Sequence, residues 1–136
     1  MSTYKQRFQN LVRVLDLHIE ASRRGELATI NGFIKSVKFD LGIWVNSGNC
    51  GTAACAVGSC MIDPWFKKEG FVPNNYLTRG TYPTFCGIGG WPAVQNFFDL
   101  TYDEAKNLFI EQSYRQPTAY NVKRRVVSYM KKKGYL

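Results

Sequence analysis

Apolar positions recur at helical spacing at both ends of the chain and lose that period in the middle. Near the start, Phe8, Leu11, Val12, Leu15, Ile19 and Ser22 follow the three-four-seven spacing of a core-facing stripe. Thr3 and Gln6 stand at capping-box separation and Gly25 supplies a stop, so the pattern predicts a helix over 3–23. Near the end, Ala119, Val122, Val126, Tyr129 and Met130 share one face, with Val127 flanking it. Thr118 is a good N-cap there, and Gly134 a C-terminal stop.

Residues 26–49 are less regular. Phe33, Val37, Phe39, Leu41, Ile43 and Trp44 are apolar anchors; a helix is expected within 26–37, and 46–49 (Asn-Ser-Gly-Asn) reads as a turn or loop. Residues 52–61 are small or apolar all round and carry no charge, which describes a helix buried on every side. Ala54 and Gly58, like Gly51, Cys55 and Ser59, would let another backbone approach it closely. Asp63-Pro64 has the order of an N-cap and a first helical position, opening a short helix to Lys68 that Gly70 closes.

Residues 71–90 show no helical period, and a stretch of that length in a compact domain is either functional or hides structure. A small hairpin around Arg79-Gly80 fits it, with Pro83 confining any strand to an edge. Phe71, Tyr76, Tyr82 and Phe85 must then pack over the body or line a groove. Trp91-Pro92 restarts a helix to Phe98, and the capping box Thr101/Glu104 opens another that holds Ala105, Leu108, Phe109 and Glu111. The expected fold class is mainly α. One compact helical domain spans 1–136, with about six helices around the small-residue helix and room for a small β-hairpin in 71–90.

Charge changes this picture at one end only. Eighteen Lys and Arg against ten Asp and Glu give a net charge of +8. Arg115, Lys123, Arg124, Arg125, Lys131, Lys132 and Lys133 are all basic, and no acidic residue lies beyond Tyr114. On the terminal helix, Asn121, Arg124, Arg125, Ser128, Lys131 and Lys132 fall opposite the apolar face, near Tyr120. This is either a solvated face or a basic ridge for nucleic acid or an acidic partner.

No apolar run reaches the ~20 residues of a membrane span, and the first ten residues are too polar for a secretory signal. The expectation is a cytoplasmic protein with reduced thiols and no membrane partner. Cys50, Cys55, Cys60 and Cys86 lack the close pairing of zinc ligands, and a five-residue helical step turns Cys55 and Cys60 about 140° apart. No metal and no cofactor are expected, since Gly87–Gly90 lacks the strand-turn-helix setting of a dinucleotide loop.

Cys50 precedes the expected buried helix, where amides and dipole would lower a thiol pKa. A Cys50 nucleophile would need His18, the only histidine, as its base; packing as a small hydrophobe is the plainer role for the cysteines. Asp40 and Asp63, near the central helix, are the carboxylates that merit a test.

Taken in order, Phe39-Asp40-Leu41, Trp44, Cys50-Gly51-Thr52-x-x-Cys55-x-x-Gly58 and Phe97-Phe98-x-Leu100-Thr101-x-x-Glu104-Ala105-x-x-Leu108-Phe109 form a pattern. Followed by Tyr114, Thr118 and Val122 before a basic terminal helix, it resembles a largely uncharacterised family of small bacteriophage and proteobacterial proteins. The resemblance runs from Phe39 to Val127 with 71–90 as its variable part. It implies an α-helical domain and carries over no catalytic residue.

The resulting expectation is a small phage-type binding protein acting on a host protein or nucleic acid in the host cytoplasm, as a host-directed or counter-defence inhibitor. Its contact surface would join Arg124, Arg125, Lys131 and Lys132 to Tyr76, Arg79 and Tyr82 of the aromatic loop. The alternatives are a Cys50 hydrolase, or a pocket under the long loop that sequesters a small anionic ligand. The sequence leaves the oligomeric state open.

Overall fold

A computed structural model describes residues 2–30, 37–48, 51–74 and 81–136. Among the described residues, six helices carry the body and two small three-stranded sheets interrupt it, giving a mainly α fold. The long first helix, α1 (Tyr4–Arg23), has the expected capping box, with Thr3 and Gln6 each satisfying the other's backbone N–H. Its buried side is rotated slightly from the predicted stripe. Val14, His18 and Ala21 are buried, whereas Ser22 faces solvent. The terminal helix, α6 (Ala119–Lys133), starts at the Thr118 cap and ends at a left-handed Gly134. It lays Val122, Val126 and Met130 against α1.

The middle of the chain corrects three expectations. Of the helix expected within 26–37, residues 31–36 lie outside the described residues and 26–30 are not helical: Ala28 instead makes a bridge to Val37, which begins β1 (Val37–Phe39). Residues 46–48 are not a turn but lie in β2 (Val45–Gly48), antiparallel to β3 (Gly51–Ala54), which also runs parallel to β1. The central helix therefore starts later than 52, as α2 (Ala56–Ile62). Small residues can be read as a buried helix or a buried strand equally well, and strand pairing with Val37–Phe39 takes the first three, Thr52 to Ala54.

All seven α2 residues are buried, as expected of a helix without polar positions. The close backbone approach is present too: a Cβ on Gly58 would overlap the Trp44 carbonyl. Asp63 caps α3 (Pro64–Lys68), and Gly70 closes it with φ +90°.

In the 71–90 stretch, β4 (Val72–Pro73), β5 (Pro83–Phe85) and β6 (Ile88–Gly89) form the second sheet with β5 in the centre. Pro83 is thus not on an edge strand; it is tolerated because it opens the strand and needs no N–H there. The hairpin turn expected at Arg79-Gly80 lies outside the described residues. A second, tighter hairpin turns at Cys86 and Gly87, both with positive φ.

Helices α4 (Trp91–Phe98) and α5 (Tyr102–Phe109) start where the sequence places them. However, α5 stops before Glu111, which belongs to a short 3₁₀ turn, Glu111–Ser113. Most of the buried apolar residues described form one cluster, in which Phe66, Phe71, Phe97 and Phe98 meet edge-on and tilted with Phe8 and Phe109 around them. Among the described residues, no helix is long and apolar enough to cross a membrane.

Candidate functional site

Two surface hollows carry the candidate chemistry, and of the binding residues expected from the sequence Arg124 and Arg125 line one of them. The first lies on the outer face of α6. Tyr114, Arg115 and Gln116 form one wall, and Asn121, Arg124, Arg125 and Ser128 form the other, enclosing about 500 Å³. No carboxylate is among the described lining residues. Lys131 and Lys132 continue the same helix face and are exposed.

The cations here are not equivalent. Arg125 donates from Nη1 to the backbone carbonyls of Asn107 (2.7 Å) and Ser113 (3.0 Å), and its guanidinium stacks 3.7 Å from the Tyr114 ring centroid. Tyr114 in turn donates its hydroxyl to the Leu108 carbonyl. Arg125 is therefore a clasp between α6 and the end of α5. Lys123 pairs with Asp16 of α1 at 2.7 Å. Arg115, Arg124, Lys131 and Lys132 have no ion pair among the described residues, and Arg124 lies over the exposed Tyr120 ring.

The second hollow, about 560 Å³, lies at the corner between β1 and β2. Leu41, Ile43 and Trp44 line it from the corner, Trp91 from the first turn of α4, and Phe109 and Ile110 from the end of α5. The Trp44 and Trp91 rings stand 4.7 Å apart, tilted by 54°. Glu111 and Gln112 supply polar lining, and a Cβ on Gly42 would overlap the Glu111 Oε2.

Among the other sequence candidates, Cys50, Tyr76 and Arg79 lie outside the described residues. It is Cys55, not Cys50, that caps α2, with its Sγ accepting from the Gly58 N–H at 3.2 Å. Burial outweighs that cap and pushes the Cys55 thiol up to about 12, and burial also raises the Cys60 thiol well above its ordinary value. Neither buried thiol is set up as a thiolate.

His18 is buried and shares a 2.9 Å hydrogen bond from Nε2 with Ser59 Oγ of α2; Phe39 meets its ring edge-on. Desolvation lowers its pKa to about 4. Ser59 is fully buried, so the pair is a neutral tie between helices rather than a base and nucleophile facing a substrate. The partner was invisible in sequence because it stands 41 positions away.

Asp40 accepts the Gly42 N–H at 2.9 Å, a turn-forming role for an aspartate. Asp63 is buried, caps α3 and takes both guanidinium arms of Arg13, at 3.1 and 2.7 Å. Tyr82 is partly exposed, with its ring over Gly89 in the second sheet. No hydrogen bond, ion pair or ring contact among the described residues joins it to α6.

The structure adds Arg115, Trp91 and Glu111 to the residues read from sequence. Arg115 had a signal, as the first of the terminal basic residues; Glu111 had none, since it read as a further position of the α5 helix. Among the described residues, no three His, Cys, Asp or Glu side chains converge on a metal-sized site. Comparison of the chain with protein-family models, curated proteins and solved structures finds no match.

Proposed function

We propose that the protein is a small binding module that docks a polyanion, a nucleic-acid backbone, on the outer face of α6. The observation that carries this reading is the run of cations Arg115, Arg124, Lys131 and Lys132, without an ion pair among the described residues, beside a hollow without a carboxylate among its described lining residues. Lysines and arginines without partners are available to phosphates, and Asn121, Gln116 and Ser128 add hydrogen-bonding groups. From Asn121 to Lys132 the ridge runs roughly 17 Å at 1.5 Å per residue, room for a few phosphates in a row. Tyr120, exposed beside Arg124, offers a face for a base. The resemblance to small bacteriophage and proteobacterial proteins supports a host macromolecule as the target, and hence a host-directed or counter-defence role.

The test is binding to labelled single-stranded and duplex oligonucleotides across a salt series. Four phosphate contacts predict a log–log salt slope of about −3 to −4. The triple variant Arg124→Glu, Lys131→Glu and Lys132→Glu is expected to lose at least 100-fold in affinity at low salt and to keep its melting temperature. Binding that ignores salt, or survives the reversal, overturns the proposal, as does retention of an acidic protein with no affinity for either nucleic acid.

A further inference from the structure

We propose that the hollow between the β1–β2 corner and the end of α5 is a binding site for a small organic cation, an ammonium group carried on a flat apolar body. This stands apart from the polyanion reading, because it rests on other residues and the opposite sign of charge.

The size comes first. A hollow of about 560 Å³ lies within the usual range of small-molecule sites. Its walls are mostly carbon, from Leu41, Ile43, Phe109 and Ile110, and suit an apolar body. The Trp44 and Trp91 rings, 4.7 Å apart, are only half-buried although both line the hollow. Aromatic surface left open beside a cavity attracts cations through the ring quadrupole, tryptophan most strongly.

The sign of charge comes from Glu111, the charged group among the described lining residues. In a chain of net charge +8 its carboxylate has neither a hydrogen bond nor an ion pair among the described residues. It lies against the Gly42 backbone, in space that any side chain at position 42 would fill. Asp40 Oδ1, fixed by the Gly42 N–H at 2.9 Å, flanks the same glycine. Aromatic rings and a carboxylate edge together select an ammonium over a neutral group or an anion of the same shape.

The experiment compares two probes of one skeleton, 2-phenylethylammonium and 2-phenylethanol, at pH 7. Binding is followed by tryptophan emission and by backbone amide shifts at Gly42 and Glu111. The ammonium is expected to bind at least tenfold tighter than the alcohol. Glu111→Gln should erase that preference while leaving the alcohol's affinity unchanged. Gly42→Ala keeps every charge but displaces the Glu111 carboxylate, and should reduce the preference as well. Melting temperatures of both variants check that the fold is intact. Equal affinities for the two probes, a preference that survives in Glu111→Gln, or no saturable binding of either probe would overturn the proposal.

Discussion

The two hollows are nearly equal in volume, about 500 and 560 Å³, and opposite in chemistry. They share one stretch of chain. Residues 109–112 line the hollow beside Trp44 and Trp91, and residues 114–116 line the one on α6. Within that stretch Glu111 and Arg115 stand four positions apart and face different cavities. The comparison shows how little a net charge says about a site. The total of +8 describes the α6 face in sign and the Trp44–Trp91 hollow not at all, because at close range the nearest unpaired group sets the local field.

His18 gives the largest expected effect, and it tests whether the two regions stand or fall together. It ties α1 to Ser59 on α2, whose cap Cys55 lines the second hollow, and beside it opens a depression lined by Thr118 and Tyr120 at the start of α6. Burial lowers its pKa from 6.5 to about 4, so the folded state refuses a proton that the unfolded chain accepts. The stabilisation is therefore fully present above pH 6.5 and is lost as the pH falls toward 4. In that window the slope is about 1.4 kcal/mol per pH unit, about 3 kcal/mol in all. Urea unfolding of the wild type and of His18→Gln from pH 7.5 to 4 should differ by this slope, with carboxylate contributions common to both. If the regions form one cooperative unit, tryptophan emission and oligonucleotide binding fail at the same pH. Equal slopes in the two proteins would remove His18 from this role.

The parts of this molecule that local rules decide were legible in its sequence. The caps at Thr3, Asp63, Thr101 and Thr118 all stand where read, because each is an interaction within three residues. The strands in 37–54 were not legible. Their pairing joins Val37 to Thr52 and Val45 to Ala54, and nothing in the local period distinguishes a small-residue strand from a small-residue helix. The same holds for the sites. The basic face of α6 follows from helical geometry alone, whereas the second hollow needs Trp44, Trp91 and Glu111 to arrive from three separate elements. Arg125 illustrates the limit within a single helix. Periodicity placed it with Arg124 on the ridge, but only tertiary structure shows its guanidinium engaged by Asn107, Ser113 and Tyr114.

That clasp is the next way to break the comparison, since Arg125 joins the α6 face to the segment that carries Glu111. Arg125→Lys keeps the charge and loses the planar fork and the stack on Tyr114. The expected cost is about 1–2 kcal/mol in urea unfolding, for charge-assisted bonds on a half-buried side chain. The salt slope for oligonucleotides should stay unchanged, because the charge is retained. The affinity of the second hollow for 2-phenylethylammonium should fall two- to fivefold as the 107–114 segment loosens. Full stability together with an unaltered hollow would mean that the clasp couples nothing.

The smallest effects come from the two threonine caps that begin the helices on either side of the shared segment. Thr101 belongs to a reciprocal box: its hydroxyl accepts the Glu104 N–H at 3.1 Å, and the Glu104 carboxylate accepts the Thr101 N–H at 2.9 Å. Thr118 accepts the Asn121 N–H at 3.2 Å without a reciprocal bond, since the Asn121 side chain donates to the Gln116 carbonyl instead. Replacing either threonine by alanine removes one N–H acceptor and costs about 1 kcal/mol. That is about 3–5 °C in melting temperature for a chain of this size. The loss should be greater for Thr101→Ala, because freeing the Ncap also loosens the Glu104 arm of the box. Its functional consequence should be confined to the hollow at the end of α5, just as Thr118→Ala should affect the Arg115–Arg124 hollow alone. Equal melting temperatures for the two variants would show that the second arm of the box adds nothing. A cross-effect, with Thr118→Ala weakening ammonium binding, would show instead that the two hollows are one mechanical unit whatever their charges.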